Sequence, residues 1–181
     1  MRNNKSLKDK CDALAEMVIS IAPIYRANLD NKNKTRLIET TIGASIWYLP
    51  HGTEYWTGYI SSEAISQYLT IANPKLTKDH QFPRKIAARE ILLYNWDEIE
   101  EPGETLLTLY KTQYGKYNYV TPRENKNLIK FQKEDVFKTV EKSYQEAGIT
   151  LIKVSDDELQ RIKKKDERLI NRLMDRLNIL C

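Results

Sequence analysis

Apolar side chains recur at helical spacing near both ends of the chain, so helices must carry much of its core. Over residues 7–25, Leu7, Cys11, Leu14, Met17, Val18 and Ile21 fall on one face, and Pro23 predicts where that helix ends. Near the other end, Ser155 and Glu158 have the spacing of a capping box that opens a last helix. Leu159, Ile162, Leu169, Ile170, Leu173 and Leu177 form its stripe, with Lys163, Lys164 and Lys165 off it. The stripe suits packing on the chain's own core, and a homodimer through the C-terminal helix is the other reading.

Between these ends the pattern changes. LDNKNKT (29–35) reads as a loop before a helical segment at 35–41, and ASIWYL (44–49), stopped by Pro50, reads as a strand. Ser61 or Ser62 caps a helix to about Leu69, with Ala64, Ile65 and Tyr68 inward. LTKDHQF (76–82) is extended, Pro83 closes it, and RKIAAREILLY continues as a helix with Ile86, Ile91 and Leu92 inward. TLLTLYKTQYGKYNYV (105–120) alternates as a hairpin turning at 114–116.

Thr121-Pro122-Arg123-Glu124 then starts a helix predicted to run to about Ala147. Ile129, Val136, Phe137, Val140 and Tyr144 point inward on it, Gly148 stops it, and ITLIKV (149–154) is a short strand. The expected fold class is α+β, mainly helical. The regions 1–73, 74–148 and 149–181 are read as parts of one compact unit.

Scarce residue types exclude several chemistries. Cys11 and Cys181 stand at opposite ends, so neither a disulfide framework nor a zinc knuckle is expected. His51 and His80 are the only histidines, and the six glycines make no GxGxxG or GxxxxGK[ST] cradle. No run approaches the roughly 20 apolar residues of a membrane span, and the first residues lead into an amphipathic helix instead of a signal peptide. An intracellular (cytoplasmic) protein is the expectation.

Twenty-nine basic residues outnumber 25 acidic ones for a net charge of +4, which suits a polyanionic partner. The basic residues concentrate at 75–90 and 111–138. Asp97, Glu98, Glu100, Glu101 and Glu104 form a separate acidic run.

One constellation has a mechanism attached. Asp79-His80 precedes Pro83-Arg84-Lys85, and downstream Thr121-Pro122-Arg123-Glu124-Asn125-Lys126-Asn127-Leu128 opens a helix. An imidazole at a strand end can take the proton from a water attacking a phosphodiester. The adjacent carboxylate, pointing to the opposite side, can bind a divalent metal. In these residues the chain resembles the HNH, or ββα-metal, nucleases over roughly 74–137.

The resemblance implies His80 as general base and Asp79 as a metal ligand, with Asn125 or Asn127 as the family's asparagine. The third metal position would fall to Gln132, Glu134 or Asp135, because that stretch has no histidine. The long separation of Asp79 from Asn125 implies an inserted helix and acidic loop. The implied cofactor is a divalent ion of the Mg²⁺ kind, and the implied function is a restriction, homing or phage-type DNA endonuclease.

Arg84, Lys85, Arg123, Lys126 and Lys130 are expected to contact the phosphates of double-stranded DNA. The alternatives are a non-catalytic DNA-binding or regulatory protein using the same basic helices, and a helical interaction protein. Asp30-Asn31-Lys32 lacks the upstream acidic partner of a PD-(D/E)xK nuclease. His51 reads as part of a surface loop, and Trp47, Tyr48, Tyr55, Trp56 and Tyr59 read as core and rim.

Overall fold

The computed structural model describes the backbone of residues 2–50, 52–133 and 136–178, and the side chains of 6–50, 52–133 and 136–176. His51, Glu134, Asp135, Cys181 and the Leu177 side chain lie outside the described residues. In chain order the elements are α1 (Arg2–Arg26), α2 (Lys32–Trp47), β1 (Trp56–Ser61), α3 (Ser62–Thr70), β2 (Thr77–His80), α4 (Arg84–Leu93) and α5 (Pro102–Leu109). There follow β3 (Tyr117–Val120), α6 (Pro122–Leu128), α7 (Val140–Glu146), β4 (Leu151–Lys153), α8 (Asp156–Lys163) and α9 (Glu167–Asn178). The protein is therefore α+β and mainly helical, with one small mixed sheet.

The chain divides into two units, each assembled from two stretches of sequence. Residues 1–55 and 82–116 make one, and 56–81 and 117–181 make the other. This interleaving replaces the three consecutive regions expected from the sequence.

The first unit is all-helical. Helix α1 packs on α5, α4 and α2, and α2 packs on α4. Leu14, Val18, Ala22, Ile38, Ile42, Ile46, Ile91 and Leu106 are buried in its core. Gly43 permits a close crossing, since a Cβ there would lie 3.0 Å from the Arg84 carbonyl oxygen. Tyr25 and Arg89 both donate to Glu39 Oε1, at 2.7 and 3.0 Å, so the buried carboxylate is paired.

Three expectations fail here for identifiable reasons. Helix α1 continues through Pro23 to Arg26: the proline sits in the last turn and gives up a single helical bond, while Ala27 N–H still reaches the Pro23 carbonyl at 3.0 Å. The stretch 44–49 is the end of α2 and a turn, because burial of Ile38, Ile42 and Ile46 every four residues outweighs local β propensity. Residues 105–114 form α5 and a π-helical turn, so only 117–120 of the proposed hairpin is strand. Pro102 at the first turn and buried Leu106, Leu107, Tyr110 and Tyr114 set the helical period.

The second unit holds the sheet, in the order β2-β3-β1-β4. β3 runs antiparallel to β2, with Asp79 opposite Asn118 and His80 opposite Tyr117, and parallel to β1. β4 runs antiparallel to β1. Gly58, at φ 85, sits where the β1 register shifts, and its carbonyl accepts from Val154 N–H at 2.8 Å.

Alternation along the strands sends Ile60 and Ile152 to one face, where they pack with Ala64, Ile65 and Tyr68 of α3 and with Leu159, Ile162, Leu169, Ile170 and Leu173. Val120 joins Leu128, Tyr144 and Ile149 in a smaller core.

Two long helices expected from the sequence are each broken. Helix α6 stops at Leu128, leaving Ile129 and Val136 exposed, and α7 restarts at Val140 behind the Thr139 cap. The last helix splits into α8 and α9 at Lys165, which adopts φ 62; Asp166 caps the new start at Leu169 N–H and pairs with Arg161. The described residues of the apolar stripe on α8 and α9 are buried in the chain's own core. Leu173→Ala should therefore destabilise the protein by about 2–5 kcal/mol. Urea melts should give a midpoint independent of protein concentration, whereas a dimer seam would make it concentration-dependent.

Candidate functional site

Strand β2 is the edge of the sheet, and its last two residues are Asp79 and His80. Because strand side chains alternate, Asp79 shares a face with its cross-strand partner Asn118, and His80 shares the other with Lys78, Tyr117 and Tyr119. The His80 and Tyr117 ring centroids are 6.2 Å apart, and Lys78 Nζ lies 4.7 Å from the Tyr117 ring centroid.

Asp79 is 4% exposed. The Tyr144 hydroxyl donates to its Oδ2 in a short hydrogen bond, and Gln132 Nε2 lies 3.3 Å from each carboxylate oxygen. Asn118, itself buried, takes a short hydrogen bond from the Thr57 hydroxyl at Oδ1. Burial pushes the Asp79 carboxyl up to about 6, against the opposing pull of the Tyr144 and Gln132 hydrogen bonds. Burial and the neighbouring carboxylate raise Tyr144 in turn, which keeps its hydroxyl protonated as a donor.

The sequence-predicted residues separate into groups. Gln132 meets Asp79. Asn127 does not: its amide donates to the Ala147 carbonyl at 3.0 Å and ties α6 to the end of α7. Asn125 is half-buried on α6 and forms no side-chain hydrogen bond among the described residues. Arg84 and Lys85 belong to the helical unit, where the Arg84 guanidinium carbon lies 4.8 Å from the Trp47 ring centroid.

Arg123, Lys126 and Lys130 come together along one cleft of about 570 Å³ with Asn127, Gly148 and Ile149. Glu63 and Glu124 also line it. Glu124 Oε2 is occupied by Ser61 Oγ at 2.6 Å and by Thr121 N–H at 2.8 Å. A second cleft shares Gly148 and Ile149 with the first and has Asn118 and Tyr144 in its wall, so the two clefts adjoin.

Sequence reading missed Asn118 and Tyr144. The alternation of YNYV marks Asn118 as the polar residue of a strand. Tyr144 carries no sequence signal beyond its inward position on α7.

Among the described residues no cluster of three His, Cys, Asp or Glu side chains is present to hold a metal. As arranged, both Asp79 carboxylate oxygens are taken by the Gln132 amide N–H and the Tyr144 hydroxyl, and Asn118 Oδ1 by the Thr57 hydroxyl. A hard, partly hydrated ion of the Mg²⁺ kind would bind Asp79 by displacing those donors, with the carboxamides turned to offer oxygen. No helix among the described residues is long and apolar enough to cross a membrane. No family model matches the chain, and no curated protein or solved structure is significantly similar to it.

The raised Asp79 carboxyl makes a stability prediction. Between about pH 4 and 6 the folded protein keeps a proton that the unfolded chain has released, so stability falls as pH rises through that window and levels off above it. Asp79→Asn lacks this charge and should gain on the wild type by roughly 3 kcal/mol across the window. Urea denaturation in EDTA at pH 4 and 7.5 checks this; an equal difference at both values would contradict it.

Proposed function

We propose that the chain is a metal-dependent endonuclease that hydrolyses DNA phosphodiester bonds. The observation that supports this most is the cleft of the sheet unit lined by Arg123, Lys126 and Lys130, which adjoins a second cleft walled by Asn118 and by Tyr144, the residue that donates to Asp79. The order strand, antiparallel strand, helix (β2, β3, α6), with Asp79-His80 ending the first strand, agrees with the ββα-metal resemblance.

In this reading the basic residues of α6 seat the DNA backbone along the groove and toward the free edge of β2. From that edge Asp79 and His80 reach to opposite sides. His80 removes a proton from water as its oxygen bonds to phosphorus, and the bond to the leaving oxygen breaks. A Mg²⁺-class ion held by Asp79, with Gln132 and Asn118 beside it, would supply charge neutralisation at the leaving oxygen. Tyr144 fixes the orientation of the carboxylate through its hydroxyl.

A second reading is favoured by one specific observation: Asp79 is buried and already hydrogen-bonded by Tyr144 and Gln132. If that cluster only holds α7 to the sheet, the groove belongs to a non-catalytic DNA-binding protein.

A plasmid-nicking assay with Mg²⁺ or Mn²⁺ against EDTA separates the two. Nicking should require the ion and fall by about 10²–10⁴-fold in His80→Ala, with DNA binding retained. Lys126→Ala should weaken binding to all sequences and flatten the log–log salt dependence by about one unit. Salt-dependent binding without nicking under any divalent ion would establish the non-catalytic reading instead.

A further inference from the structure

The second cleft of the sheet unit differs chemically from the basic one it joins. Its volume is about 580 Å³, within the range of small-ligand sites. The half-exposed Tyr59 ring and the apolar side chains of Val140 and Leu151 line it, together with three carboxamides, Gln81, Asn118 and Gln145. Its one charged lining residue is Glu141, although Lys153 Nζ stands 5.8 Å from the Tyr59 ring centroid.

Asn118 is fully buried, and its Nδ2 faces the Tyr144 hydroxyl without a well-formed hydrogen bond. A half-exposed aromatic ring and the accessible carboxamides of Gln81 and Gln145, each offering both a donor and an acceptor, are complementary to the face and edge of a nucleobase. Phosphate binding and base binding are thus separated into adjoining clefts that meet at Gly148 and Ile149. At that junction Gly148 stands at φ 67, and a Cβ built on it would meet nothing within 4 Å.

We propose that the Tyr59–Asn118–Gln145 cleft receives an unpaired nucleobase of the strand whose phosphates lie on Arg123, Lys126 and Lys130. The preferred substrate is then DNA with an extruded or unpaired base, since a base inside a matched duplex would first have to leave its stack. This inference rests on the nucleic-acid reading of the basic groove.

Fluorescence anisotropy in EDTA tests it without cleavage, using a matched duplex, the same duplex with a single-adenine bulge, and the corresponding single strand. The bulged duplex and the single strand should each bind about tenfold tighter than the matched duplex. Tyr59→Ala should bring both ratios to one. Gln145→Leu, at an exposed position, should reduce them independently of any folding defect at Tyr59. Lys126→Ala should weaken all three probes together and leave the ratios unchanged.

Salt-dependent binding with equal affinity for the three probes would overturn the base site and leave the groove reading standing. Failure to bind any probe would overturn both. Free deoxyadenosine monophosphate binding as tightly as the bulged duplex would also overturn the proposal, because the cleft would then serve a mononucleotide instead of a strand.

Discussion

A single carboxylate oxygen connects the two strand-to-helix junctions of the sheet unit. Glu124 Oε2 accepts from Ser61 Oγ and from the Thr121 backbone, while Ser61 and Thr121 cap the helices that follow the parallel strands β1 and β3. Ser61 Oγ in turn accepts from Ala64 N–H at 3.1 Å, and Thr121 Oγ1 from Glu124 N–H at 3.1 Å. Orphan donors at two helix starts are thereby satisfied in one buried network. With α6 held at this angle, Arg123, Lys126 and Lys130 line a common cleft, and Leu128 enters the core beside Tyr144. Loss of the Glu124 carboxylate would disturb both junctions together, which a capping residue serving one helix does not do.

Local rules were enough to place much of this arrangement in the sequence. Thr121, Pro122 and Glu124 announce their helix because capping depends on residues within one turn, and the Ser155–Glu158 box is equally legible for that reason. The helix α3 with Ala64, Ile65 and Tyr68 inward follows from spacing alone. What local rules could not supply is partner choice. TLLTLY alternates on paper, yet β3 has its ladder with β2 and β1, and the residues before it bury their apolar side chains as a helix. The same limit applies to α2, where spacing at Ile38, Ile42 and Ile46 prevails over the β-branched and aromatic content of 44–49.

At the candidate site the short motif was legible and its surroundings were not. Asp79-His80 stands on a strand as expected, and Gln132 meets Asp79. Asn127, one of the two candidates for the motif asparagine, spends its amide on the Ala147 carbonyl. Asp79 also accepts from Tyr144, sixty-five residues away, and pairs across the ladder with Asn118. Both depend on tertiary pairing, so spacing within one segment cannot reveal them.

The interleaved chain gives the β2–β3 pair an unusual turn. Antiparallel neighbours are ordinarily joined by a few residues, but here 82–116 intervenes and folds as part of the helical unit. Within that unit the Phe82 and Tyr114 rings, close to the two ends of the excursion, stack edge-on at 5.7 Å. A flexible connection of this length would raise the loop-closure cost by about 2 kcal/mol over a short turn. An excursion whose ends are already held together does not impose that cost again when the strands pair. Destabilising the helical unit should therefore slow pairing of the strand that carries Asp79 and His80 without touching either residue.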